Sequence, residues 1–121
     1  MEIARFFFQL TNQVKLYHWQ TKSYARHIAT DTLHTALLPR VDRFMEVYQG
    51  KVGARVSDES KKIPLSVSQL SDAEMESFLE KAVEYLQDLA MLRNGANSDL
   101  ANIRDDIVSN INQTLYLFSF K

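Results

Sequence analysis

The 121-residue chain contains no cysteine. Disulfide staples, thiolate metal sites and cysteine nucleophiles are therefore excluded, and the redox compartment is left open. Glycine and proline are also scarce, at three and two residues. Few positions break a regular element, and apolar residues recur mainly at helical spacing, so an all-α fold is expected. No apolar run approaches the roughly 18 residues of a membrane span. The opening Met-Glu-Ile-Ala-Arg lacks the cationic start and long apolar core of a signal peptide, which makes a cytoplasmic location the expectation. Net charge is only −1, and the basic residues form no block, so neither nucleic acid nor a membrane is an expected partner. Glu-x-x-His, the motif of di-iron helical bundles whose site lies within one chain, does not occur.

What is present is a sizeable apolar fraction, 45% hydrophobic with 11% aromatic, enough for one compact domain, residues 1–121. Ile3, Phe6, Phe7, Leu10, Val14 and Tyr17 repeat at three and four and predict a helix over about 2–20. Ser23 is placed to cap a second helix over about 24–49, with Leu33, Leu37, Val41, Phe44 and Tyr48 inward and a stop at Gly50. Pro39 falls inside it, and either a kink or a full break would follow from the lost backbone bond. Ser71 and Glu74 form a capping box that opens a third helix over about 72–94. A fourth, over about 98–119, is read from Leu100, Ile103, Ile107, Ile111, Leu115 and Phe118, with Asn97 or Ser98 as its cap. The connections run short, long, short. A long crossover over 50–71 between two helical hairpins is the arrangement of an up-down-down-up, ferritin-like four-helix bundle.

All three histidines lie between His18 and Glu46. Asp31 follows His27 by one helical turn, Asp42 comes about three turns later and Glu46 one turn beyond, so the four share a flank of the second helix. Imidazoles and carboxylates gathered on a core-forming helix are costly unless something neutralises them, and a divalent cation would do so. Histidine with carboxylate suits Fe(II), Mn(II) or Zn(II). The candidate ligands are His18, His27, Asp31, Asp42 and Glu46, with His34 as an extra imidazole on the same flank. Trp19 and Tyr24 flank them, as packing residues or as relays for oxidising equivalents. Glu76, Glu80, Glu84 and Asp88 step along the third helix as a solvated face.

The pair His18-Trp19 and the array His27-x3-Asp31-x10-Asp42-x3-Glu46 resemble the ligand region of the Dps-type mini-ferritins. That resemblance implies a di-iron ferroxidase centre, with His18, His27 and Asp31 from one subunit and Asp42 and Glu46 from its two-fold partner. It also implies iron (Fe2+/Fe3+) as the metal, a homodimer at least, and a dodecamer as the full assembly. The chain departs from that family in lacking a Lys-rich N-terminal tail and an evident short helix in the crossover. It is also similar to short ferritin-like proteins of phages and large algal viruses, for which host cytoplasm is the expected location. Two function classes stay open: Fe(II) oxidation and detoxification at an inter-subunit site, and a non-enzymatic helical scaffold or adaptor with a vestigial site.

Overall fold

A computed structural model describes residues 2–56 and 62–120. Among these residues the regular structure is entirely helical, with four α-helices: α1 (Glu2–Gln20), α2 (Tyr24–Val52), α3 (Asp72–Gln87) and α4 (Ser98–Phe118). The inward stripes are those of the sequence. Ile3, Phe7, Leu10, Val14 and Tyr17 of α1 are buried with Leu33, Leu37 and Phe44 of α2, Met75, Leu79 and Leu86 of α3, and Leu100, Ile107, Ile111 and Phe118 of α4. Each such side chain removed from water contributes about 1.5–3 kcal/mol, and together they form one continuous core.

Contacts at the helix ends fix the directions. Tyr17, late in α1, donates its hydroxyl to Asp72 at the start of α3 at 2.5 Å. Arg26, early in α2, reaches Glu76 of α3 at 2.7 Å and the carbonyl of Phe118, the last residue of α4, at 3.4 Å. Phe6 stacks on Tyr85 at 4.1 Å, and Lys51 pairs with Asp99 at 3.2 Å, joining the opposite ends of the same helices. The connection after α2 therefore travels the length of the bundle, roughly 28 Å for a 19-residue helix such as α1.

Two glutamines hold that connection against α1. The Gln9 and Gln13 side-chain amides each donate to and accept from one backbone unit, Ser66 and Ser68 respectively. The repeat distances match: four helical residues advance about 6 Å, and two extended residues about 6.6 Å. Gln13 is almost fully buried, so its amide is satisfied by these bonds rather than by water. Part of the expected crossover, the run 57–61, lies outside the described residues.

Local signals hold at two caps. Ser23 accepts from the Arg26 amide at 3.2 Å, and Ser71 and Glu74 make both arms of the capping box. The Glu74 carboxyl is held below its ordinary pKa by those bonds to the Ser71 backbone and side chain. Pro39 leaves α2 unbroken. The Arg40 guanidinium donates to the Ala36 carbonyl at 3.0 Å, bracing the turn in which Pro39 cannot donate.

Two boundaries differ from expectation. Helix α2 runs through Gly50 to Val52 and stops at Gly53, whose φ of 73° lets its N–H reach the Gln49 carbonyl at 2.9 Å. Helix α3 ends at Gln87 rather than near residue 94. A short 3-10 segment, Ala90–Gly95, follows, with Asn94 left-handed at φ 59°. The early stop is a tertiary effect: Arg104 of α4 donates to the Leu86 carbonyl at 2.8 Å, satisfying an acceptor orphaned at the helix end. The turn also buries both Leu89 and Leu92. At α4, Asn97 occupies the N-cap position without making the cap bond; its side chain donates instead to the Met91 carbonyl at 2.8 Å.

Candidate metal centre

His18 ends the buried stripe of α1, and His27 lies in the first turns of α2, across the three-residue link. The two imidazoles are stacked, with centroids 3.9 Å apart and planes at 16°. Each is clamped by the other's backbone. His18 Nδ1 is 2.8 Å from the His27 carbonyl oxygen, and His27 Nδ1 is 2.9 Å from the His18 carbonyl oxygen. A carbonyl only accepts, so both Nδ1 atoms must carry the proton. In the neutral rings the two Nε2 lone pairs then remain available. Fixing a ring by an N–H bond from its other nitrogen is the usual outer-shell arrangement of a metal-binding histidine. The Thr30 hydroxyl, 3.3 Å from His18 Nδ1, packs against the same clamp and itself donates to the Arg26 carbonyl at 2.7 Å.

Arg26 locks this corner from the other side. Its side chain, 13% exposed, donates to Tyr17 at 3.2 Å and Glu76 at 2.7 Å and lies 4.4 Å over the Phe118 ring. Burial opposes its charge, but the bonds to Tyr17 and Glu76 more than offset that and raise its pKa. Burial and the bond to Asp72 raise the Tyr17 pKa in turn. Nothing in the spacing of charged residues singles out Arg26. Its place as the first basic residue after a capping serine, one turn beyond the hairpin, is the only local hint.

Asp31 is exposed one turn below His27. His34 is half-buried nearby; burial, then Lys15 and His18, push its pKa below the ordinary imidazole value against the pull of Asp31. Tyr24 lies over His27 at 6.4 Å and is 78% exposed, while Trp19 is exposed with the Lys15 ammonium 5.8 Å over its ring. Of the proposed solvated face on α3, Glu80, Glu84 and Asp88 are exposed, whereas Glu76 is engaged by Arg26.

Asp42 and Glu46 lie further along α2, both exposed. They interact with each other: a side-chain hydrogen bond with Asp42, and then its charge, raise the Glu46 pKa above the ordinary carboxyl value. The eleven residues from Asp31 to Asp42 amount to roughly 16 Å of helix, too far for one ion to bridge within the chain. Among the described residues, no three His, Asp or Glu side chains gather closely enough to hold a metal ion. The chain thus brings His18 and His27 together with Asp31 and His34 nearby, pairs Asp42 with Glu46, and keeps the two groups apart.

An apolar groove flanks the carboxylate pair, formed by Phe7, Phe8, Leu38, Val41 and Met45 around Asp42, with a volume of about 330 Å³. Phe8 and Leu38 are each about half exposed, at 49% and 50%. Among the described residues, no helix is long and apolar enough to cross a membrane.

The chain belongs to a family of unknown function, DUF5856, whose model matches residues 18–118. The matched segment opens on His18 and contains every candidate ligand. No curated protein and no solved structure matches the chain.

Proposed function

We propose that this protein is a ferritin-like bundle that binds iron between two subunits and oxidises Fe(II), using His18, His27 and Asp31 of one chain with Asp42 and Glu46 of the other. The observation that carries the reading is the reciprocal clamp, in which each histidine's Nδ1–H is spent on the other's carbonyl and each Nε2 keeps a lone pair that can ligate a cation. Two helical hairpins joined by a lengthwise crossover suit the ferritin-like order. The Asp42 and Glu46 carboxylates repel one another, and a cation relieves that repulsion while the imidazoles supply neutral nitrogen. The half-exposed Phe8 and Leu38 beside Asp42 give a second protomer apolar surface to cover. Iron is the substrate in this reading; its oxidant is oxygen or peroxide, and the residues' work is to hold it and balance its charge. Mn(II) and Zn(II) satisfy the same donor set. The protein is read as cytoplasmic, at least dimeric, and without a nucleic-acid partner.

A symmetric shared site makes a mixing test decisive. His27→Ala/Asp31→Ala and Asp42→Asn/Glu46→Gln are each expected to lose Fe(II) oxidation. Co-refolded together, they are expected to regain about a quarter of wild-type activity, because half the dimers are mixed and each of those carries one intact site. No recovery, in chains that do associate, would reject the shared site.

The exposed aromatic end of α4, with Tyr116 at 63% and Phe120 at 55%, favours a second reading as a non-enzymatic helical scaffold or adaptor. That reading predicts an assembly unchanged by either double variant, with no Fe(II) oxidation by the wild type.

A further inference from the structure

The seam between α1 and α3 is held differently from the others. Close backbone approach joins α1 to α2, α2 to α4 and α3 to α4, whereas α1 and α3 meet mainly through side chains such as Phe6 on Tyr85. The clipped crossover shields this seam from Ser68 back to Ser66. Beyond Ser66, toward the α1 N-terminus, a groove of about 460 Å³ opens, floored by Phe6, Phe78, Ala82 and Tyr85. That volume lies within the usual range of small-ligand sites. No α2 residue lines it, so it is separate from the candidate metal ligands. From Glu2 to Leu10 it follows α1 for roughly 12 Å, room for an acid of up to about ten carbons with its carboxylate included.

Its rim is charged. Arg5 and Lys81, one from each helix, are both exposed, and the ion pairs among the described residues leave both without a carboxylate partner. Glu2 lines the same rim and opposes them, and Glu84 and Asp88 line an adjoining hollow with Glu2 and Lys81, so the anion's share of the rim is the side toward Arg5. An apolar trough between two uncommitted cations is complementary to a molecule with an apolar body and an anionic head. We propose that the groove binds a free medium-chain fatty acid, its alkyl chain along Phe6, Phe78 and Ala82 and its carboxylate between Arg5 and Lys81.

The test is titration of the full chain with decanoate, below the concentration at which it forms micelles, followed by calorimetry and by NMR of aromatic and methyl groups. Decyltrimethylammonium, with the same tail and the opposite charge, is the control. One decanoate per chain is expected, shifting Phe6, Phe78, Tyr85 and the Ala82 methyl, with the control binding about tenfold more weakly or not at all. Arg5→Gln/Lys81→Gln, two exposed changes outside the core, is expected to weaken decanoate by about tenfold, and Glu2→Gln to tighten it by about twofold. Absence of binding, equal binding of the cationic control, an unchanged double variant, or shifts centred on Tyr24 and Phe120 would each overturn the proposal.

Discussion

The two halves of the candidate ligand array are built by different physics. Around His18 and His27 the rings are fixed through one nitrogen each: backbone carbonyls hold both Nδ1 atoms, Thr30 backs them, and Arg26 ties the adjoining helix ends together. About four turns beyond His27 on the same helix, Asp42 and Glu46 are exposed and have chiefly each other, in a contact that disfavours the charged form of Glu46. A nitrogen half that is preorganised within the chain beside an oxygen half that is internally repulsive is what a site completed by a second molecule requires. Within one chain the separation is fixed by helix rise, so no rearrangement of side chains alone closes it.

The contrast can be broken most severely at Arg26. Arg26→Ala is expected to cost about 3 kcal/mol, since it removes charge-assisted bonds and leaves Tyr17 and Glu76 without their donor. Urea denaturation reads this, and a loss under 1 kcal/mol would mean the corner is not the organised half. Next in size is Pro39→Ala, expected to stabilise by about 2 kcal/mol by restoring a helix bond between the two halves. No gain, or a loss, would indicate that the Pro39 turn is held by tertiary contacts, not merely tolerated. His18→Ala follows, at about 1–2 kcal/mol, because it strips one arm of the buried clamp.

The smallest effect belongs to the oxygen half, and it has the opposite sign. The Glu46 pKa is raised in the folded chain, so the folded state holds the proton more tightly, and the stability tied to this group falls as pH rises through the carboxyl range. Glu46→Gln is therefore expected to raise Tm at neutral pH in metal-free buffer and to lose that advantage below the ordinary glutamate pKa of about 4.3. A variant that melts lower than wild type at neutral pH would show that Glu46 has a stabilising partner.

Much of the helical layout was legible because it depends on local chemistry. The 3.6-residue stripes give the four helices, Ser23 and the Ser71 capping box give two of their starts, and two short links around a long one give the order of hairpins. Misplaced ends have nonlocal causes. Gly50 and Gly53 are equivalent stops in sequence, and only Gly53 takes the left-handed conformation that ends α2. Asp88 carries no breaker signal, and α3 stops there because Arg104, sixteen residues later, supplies the donor its carbonyls lack. Gln9 and Gln13 were a missed signal: two amides one turn apart beside an apolar stripe are suited to hold an extended segment, and here they do. For the site, helix phase placed His27 and Asp31 on one flank and Asp42 one turn from Glu46. The stacked histidine clamp was not visible, since it depends on the turn geometry between α1 and α2. Whether the halves meet depends on a second chain, which spacing along one chain cannot encode.

Anomalous diffraction at the iron edge, from crystals grown without metal and soaked in Fe(II), tests the central claim most directly. A peak is expected within coordination distance of His27 Nε2 and Asp31 of one protomer and of Asp42 and Glu46 of a symmetry-related one. Well-occupied iron bound by a single protomer, or no peak beside the histidine pair, would contradict it.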